Sequence, residues 1–189
     1  RSEHELIKRY REMALHPETD GAIEDVVNEA IVSDLYDSPV EVELSNLNAS
    51  EGIKKKIREE FRYIKELMDF DKKSHEIFRN WYIDGRLYYL KVIDVKNPQE
   101  GLKDLRYIDP MKLKYIRQEK KTNGQNDPYV RINNKDDSVP NPQFDEYYIY
   151  TMKPNYPTGM VAQAGKGSVK IAKDSITYCT SGLVDRNKN

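Results

Sequence analysis

Residues Tyr10 to Leu44 read YREMALHPETDGAIEDVVNEAIVSDLYDSPVEVEL. Two breaks and two periodicities lie inside this stretch. Pro17 cannot continue a preceding helix without losing a backbone hydrogen bond, but it suits the first turn of a new one. Beyond it Ile23, Val26, Val27, Ala30 and Ile31 recur at helical spacing and form one apolar stripe. Glu24, Asp25, Asn28 and Glu29 hold the opposite face. Glu18 and Asp20 fall in the first turn, where negative charge suits the positive end of the helix dipole. Asp37-Ser38-Pro39 is a turn signal. Val40, Val42 and Leu44 then alternate with Glu41, Glu43 and Ser45, which predicts a half-buried strand at about 40–45.

Outward from there, residues 3–15 read as a helix with Leu6, Ile7, Tyr10, Met13 and Ala14 on one face. Downstream, Ile53, Ile57, Phe61, Ile64, Leu67 and Met68 keep helical spacing behind Ser50 as N-cap. A further helix over 71–84 turns Ile77, Phe78, Trp81 and Tyr82 inward and stops at Gly85. From Arg86 the period becomes two. Strands are expected over 87–95, 102–108, 113–118, 147–151, 168–172 and 175–180. A hairpin strand at 129–132 follows the Asn123-Gly124 turn, with loops at 97–101, 133–143 and 153–167. The order is helices first, then a meander of antiparallel strands. The fold class is therefore α+β: N-terminal amphipathic helices packed on a mainly antiparallel β-sheet region. Residues 1–85 form the helical part with its one strand, and 86–189 the β-rich part.

Composition narrows the chemistry. The 189 residues carry 31 Lys and Arg against 32 Asp and Glu, a net charge of -1, so no basic excess draws the chain to nucleic acid or anionic lipid. One cysteine, Cys179, excludes an intrachain disulfide. No apolar run approaches the ~18 residues of a membrane span. The start at Arg1 inside helical pattern, and the polar run from Asp185 to Asn189, read as a fragment of a longer polypeptide.

No constellation rises to a catalytic motif. His4-Glu5 and His75-Glu76 begin like a zinc-protease helix, but Lys8 and Arg79 stand where the second histidine belongs. Gly165-Lys166-Gly167-Ser168 fails the phosphate-loop spacing and precedes a strand rather than a helix. Glu24, Asp25 and Glu29 cluster on one helix face without an apolar pocket to split their pKa values, so a solvated face outweighs a hydrolytic site. Lys54, Lys55, Lys56, Arg58 and Arg62 make a basic patch, interleaved with Glu51, Glu59, Glu60 and Glu66; ordinary i, i+4 pairs worth ~0.3 kcal/mol account for it. Fourteen tyrosines suit surfaces that meet other surfaces. Asn48-Ala49-Ser50 matches a glycosylation sequon and is read as chance. On residue chemistry alone the chain is an α+β interaction module. No catalytic residue, cofactor site or metal ligand is assigned, and a nucleic-acid-binding or generic protein-interaction module is the alternative.

The quoted stretch does more. Its Pro-Glu, Ala-Ile and Val-Asn-Glu-Ala-Ile run resembles portal proteins, the head–tail connectors of tailed phages, above all those of T-even myoviruses. The likeness continues through Ile57-Arg58-Glu59-Glu60-Phe61, Ile77-Phe78-Arg79-Asn80-Trp81-Tyr82, Asp84-Gly85-Arg86-Leu87-Tyr88-Tyr89 and Leu105-Arg106-Tyr107-Ile108-Asp109-Pro110. The resemblance implies one wing domain of a longer chain, without stem and clip. It implies a non-enzymatic homododecameric ring in the virion, at the capsid portal vertex. Such a ring contacts the major capsid protein, the terminase large subunit and neck proteins, and passes double-stranded DNA. Head assembly then starts in the host cytoplasm at the inner-membrane face. No DNA- or motor-contacting residue carries over, because those positions lie outside the matched motifs.

Overall fold

The computed structural model describes residues 3–32, 39–119, 144–152 and 167–182. The expected hairpin strand at 129–132, the loop at 133–143 and all but the last residue of the loop at 153–167 lie outside these residues. The chain divides into two compact units, Arg1–Met111 with Ser175–Asn189, and Lys112–Asp174.

Among the described residues the first unit holds four α-helices: α1 (Glu3–Met13), α2 (Pro17–Ala30), α3 (Glu51–Leu67) and α4 (Phe70–Asp84). It also holds strands β1 (Arg86–Ile93), β2 (Leu102–Ile108) and β6 (Ile176–Thr180). α4 is the central helix and packs against α1, α2, α3 and β1. The α2 stripe is buried at three of its five expected positions; Val26 is half-buried and Ala30 exposed. Ile23, Val27 and Ile31 are buried, and Ala14 joins Ile23 and Val27 in a cluster covered by Phe78 and Ile83 of α4. Ile7 of α1, 1% exposed, is among the most deeply buried side chains. Burying such a side chain stabilises by roughly 1.5–3 kcal/mol. α3 departs from its pattern, because none of its residues is buried and Ile53 stays 52% exposed. It is fastened instead by Tyr63, whose hydroxyl donates to the Leu102 carbonyl of β2 at 2.8 Å.

Gly85 ends α4 as its sequence position predicts. It takes φ +68°, where a side chain is strained, and its N–H donates to Trp81 O at 2.9 Å. The chain then enters β1, the middle strand of an antiparallel sheet ordered β2-β1-β6, with Tyr89 opposite both Tyr107 and Thr177. β1 stops at Ile93, short of the expected Val95, because Asp94 turns the chain: its side chain accepts from Lys96 N at 2.9 Å.

Two expectations need correction. Residues 40–45 form no strand. From Glu41 on the side chains do alternate, Glu41, Glu43 and Ser45 exposed against half-buried Val42 and buried Leu44, while Val40 departs from the pattern and is exposed; but the backbone enters no ladder and closes locally, with Ser45 N donating to Glu43 Oε1 at 2.7 Å. Period two reports an extended, half-buried segment; a strand also requires a partner edge. Nor do the strands form one meander. β6 leaves the strand before it in sequence, β5 (Ser168–Ala172), and pairs with β1.

The described residues of the second unit form an antiparallel sheet ordered β3-β4-β5, from Leu113–Glu119, Phe144–Thr151 and Ser168–Ala172. Tyr148, the central buried aromatic of β4, stands opposite Tyr115 on one side and Ile171 on the other.

Candidate functional site

The most strongly coupled polar group of the first unit is built on Arg11. Ile7 and Arg11 of α1, and Ala14 just past its end, fall at i, i+4 and i+7, so the core-facing side carries a guanidinium between two buried apolar groups. Asp84 meets it from the last residue of α4. Arg11 Nε donates to Asp84 Oδ1 at 2.8 Å, and its terminal nitrogen Nη2 donates to Oδ2 at 2.7 Å. The same Nη2 donates to Asp109 Oδ1, just past β2, at 2.8 Å. Asp109 Oδ1 also accepts from Met111 N at 3.0 Å. The hydrogen bond to Asp84 holds the Arg11 proton above the ordinary arginine range, burial opposes this, and Asp109 adds to it.

These groups border an open depression of about 400 Å3, with Leu15, Ile83 and Tyr107 in its wall. Burial, followed by the charges of Asp84 and Asp109, pushes the Tyr107 phenol up to about 12. At neutral pH it is a protonated phenol, not a base. Each charged group lining the depression has a partner, Arg11, Asp84 and Asp109 in one another and Arg79 outside the lining. Arg79 bonds Asp20 Oδ1 at 2.6 Å and lies 3.1 Å from Glu24 Oε1. The arrangement therefore ties three chain segments together and presents no activated nucleophile.

A second polar group lies on the β3-β4-β5 sheet. Glu146 accepts from the Tyr115 hydroxyl at 2.6 Å and from Lys173, and stands 3.5 Å from Arg117 Nε. Lys173 first, then Tyr115, hold its carboxyl below the usual range. Arg117 sits 4.0 Å over the Phe144 ring, and Lys170 sits 3.9 Å over Tyr147. Cation–aromatic contacts of this kind use the faces that a nucleic-acid base would stack on.

The residues singled out in the sequence are dispersed. His4, His16 and His75 sit on α1, at the N-cap of α2 and on α4. Among the described residues no three His, Cys, Asp or Glu side chains converge as a metal site would require. Cys179 is exposed on β6. Of the acidic face on α2, Glu24 is taken by Arg79 while Asp25 and Glu29 remain exposed. On α3, Lys54 and Lys55 lie 3.5 and 4.0 Å from Glu51 and Glu59. No helix among the described residues is long and apolar enough to cross a membrane. The Arg11 cluster escaped the sequence reading. Its signal was a charged residue at a core-facing helical position, with its acids beside the punctuating Gly85 and Pro110.

Comparison with known proteins supplies what this geometry does not. The portal protein of Vibrio phage KVP40 is 35% identical over 182 residues, 95% of this chain and 33% of that protein. The portal protein of Salmonella phage ViI is 33% identical over 105 residues, 55% of this chain and 19% of that protein. The chain thus spans a third or less of the length of these relatives. The family model described as bacteriophage T4-like portal protein (Gp20) matches residues 3–189. With helices, turns and sheet all inside that match, the chain belongs to the T4-like portal protein family.

Proposed function

We propose that this chain is a structural segment, the wing, of a portal vertex protein. Together, residues 1–85 and 86–189 make one wing domain of a longer polypeptide that also has stem and clip. The full-length protein forms a homododecameric ring at the capsid vertex of the virion. The ring nucleates head assembly at the host inner-membrane face, contacts the major capsid protein and docks the terminase large subunit. Double-stranded DNA passes through it during packaging and ejection, and neck proteins later attach to it. Its role is mechanical and involves no catalysis by this segment. The observation that carries this reading is the family match over residues 3–189. The Arg11, Asp84 and Asp109 tie agrees with it, since a mechanical part needs its elements fastened to each other.

The test is made on the full-length protein in infected cells. Purified heads should contain it at a copy number matching one dodecamer per particle, and heads should fail to fill with DNA when residues 3–189 are deleted. A copy number like that of a shell subunit, or its absence from particles, defeats the reading.

A further inference from the structure

A single residue separates the helical backbone of α3 from α4. Met68 keeps right-handed helical dihedrals, φ -83° and ψ -9°, and its N–H donates to Ile64 O at 3.1 Å as in a continuing helix. α4 begins at Phe70. Asp69 alone departs, at φ +50° and ψ +40°. Among the described residues it is the one non-glycine with positive φ; Gly85, Gly101, Gly167 and Gly182 are the others. A side chain held in this left-handed conformation costs energy that a glycine avoids. Nor does the sequence punctuate the helix here, for no glycine or proline lies between Gly52 and Gly85. The bend is therefore imposed by what α3 rests on, and that seat is light. No α3 residue is buried: Ile57, Phe61 and Leu67 are half-buried, while Ile53 and Ile64 are exposed. The Tyr63 hydroxyl donates to Leu102 O at the start of β2. Lys65 lies 3.8 Å from Asp71 across the elbow, a pair worth little because Asp71 stands largely in solvent. Against this seat stand the strain at Asp69 and the helical hydrogen bonds that the elbow interrupts.

We propose that α3 is a hinged arm with two positions and that Asp69 is its hinge. In the folded position, the one described above, Tyr63 ties the arm to β2. In the extended position Asp69 takes right-handed helical dihedrals, α3 and α4 join as one helix over 51–84, and the arm leaves β2. One residue's φ and ψ absorb the whole change, as hinge residues do. The movement alters the surface that the first unit presents. Folded, the outer strand β2 is fastened to α3. Extended, the Leu102 carbonyl is open and the half-buried sides of Ile57 and Phe61 are bared. The balance is set between the small apolar burial under α3 and the cost of a left-handed aspartate, so modest changes at Asp69 or Tyr63 shift it. The hinge belongs to the first unit alone and holds whatever larger body the segment is part of.

The experiment measures a spin–spin distance across the elbow. Cys179→Ser removes the native thiol, and labels are attached at Lys56→Cys on α3 and Glu76→Cys on α4, both exposed positions. One continuous helix sets these sites about 30 Å apart along its axis, and the folded arm holds them closer. With Asp69 in place the shorter distance should dominate. Asp69→Gly favours the bend and weakens the straight helix, whereas Asp69→Ala does the reverse. The bent-to-straight ratio should therefore differ about thirtyfold between the two variants. Adding Tyr63→Phe to Asp69→Ala removes the tie to Leu102 and should raise the long-distance population about fivefold more. A narrow population near the straight-helix distance that grows in this order supports the hinge. The same short distance in Asp69→Gly and in Asp69→Ala with Tyr63→Phe overturns it. A broad distribution with loss of helical circular dichroism overturns it as well, because α3 then unravels instead of joining α4.

Discussion

Arg11 grips Asp84 through two parallel hydrogen bonds of 2.8 and 2.7 Å, although 73 residues separate them. The Asp84 side chain is 3% exposed, whereas Arg11 keeps 37% of its own side chain in solvent. A carboxylate so placed is tolerated only while its partner is present. Arg11→Ala leaves that charge buried, and losses of this kind run to 3–5 kcal/mol. Because Arg11 is partly solvated, water can enter the gap, and a loss of about 3 kcal/mol is expected in urea unfolding of the 189-residue chain. Arg11→Lys should recover less than half, since an ammonium cannot reproduce the forked geometry. Arg11→Met with Asp84→Leu should lie closer to wild type than Arg11→Ala does, because the pair is then removed as a unit. A double variant worse than the single one would mean that the ion pair itself, rather than the orphaned charge, supplies the stability.

Core weight is unequal between two helices that look alike in sequence. Ile7→Ala removes a fully buried side chain and should cost about 3 kcal/mol. Ile53→Ala removes one that is half in solvent, and should cost roughly 0.5 kcal/mol or less in the isolated chain. Denaturant midpoints at constant slope give both numbers. Equal losses would show that α3 is buried in solution where the structure leaves it open.

How far these contrasts are readable from sequence depends on which physical quantity carries them. α2 is legible because Ile23, Val27 and Ile31 are selected by a local period and by Pro17 at its start. The α4 stop is legible because only Gly85 takes a positive φ there cheaply. Residues 40–45 mislead because alternation reports burial of alternate side chains and says nothing about whether a neighbouring edge is available. The pairing of β6 with β1 joins residues about ninety positions apart, which no local pattern encodes. α3 misleads differently: its stripe is apolar, yet the chain offers it too little to pack against, so amphipathicity marks a surface without naming its partner. The Arg11 tie unites three segments distant in sequence, and its acids sit where turn chemistry alone would also place an aspartate.

Alkaline pH isolates one more piece of this packing. Tyr89 and Tyr107 meet edge to face, with ring centroids 6.0 Å apart, and each phenol is pushed up to about 12, chiefly by burial. An exposed tyrosine in the unfolded chain titrates near the ordinary 10.0. Between those values the unfolded chain has released its phenolic protons and the folded chain has kept them. Raising pH through this window therefore favours unfolding. The contribution is whole below pH 10, falls between about 10 and 12, and is gone above. For Tyr89, 7% exposed, a shift of this size corresponds to roughly 2–3 kcal/mol; Tyr107, 42% exposed, is screened by water and should give well under half of that. Urea unfolding at a series of alkaline pH values should show the decline, and Tyr89→Phe should flatten it more than Tyr107→Phe. A wild-type stability that stays level from pH 10 to 12 would place both phenols in ordinary solvent contact and contradict the packing of β1 on β2 described above.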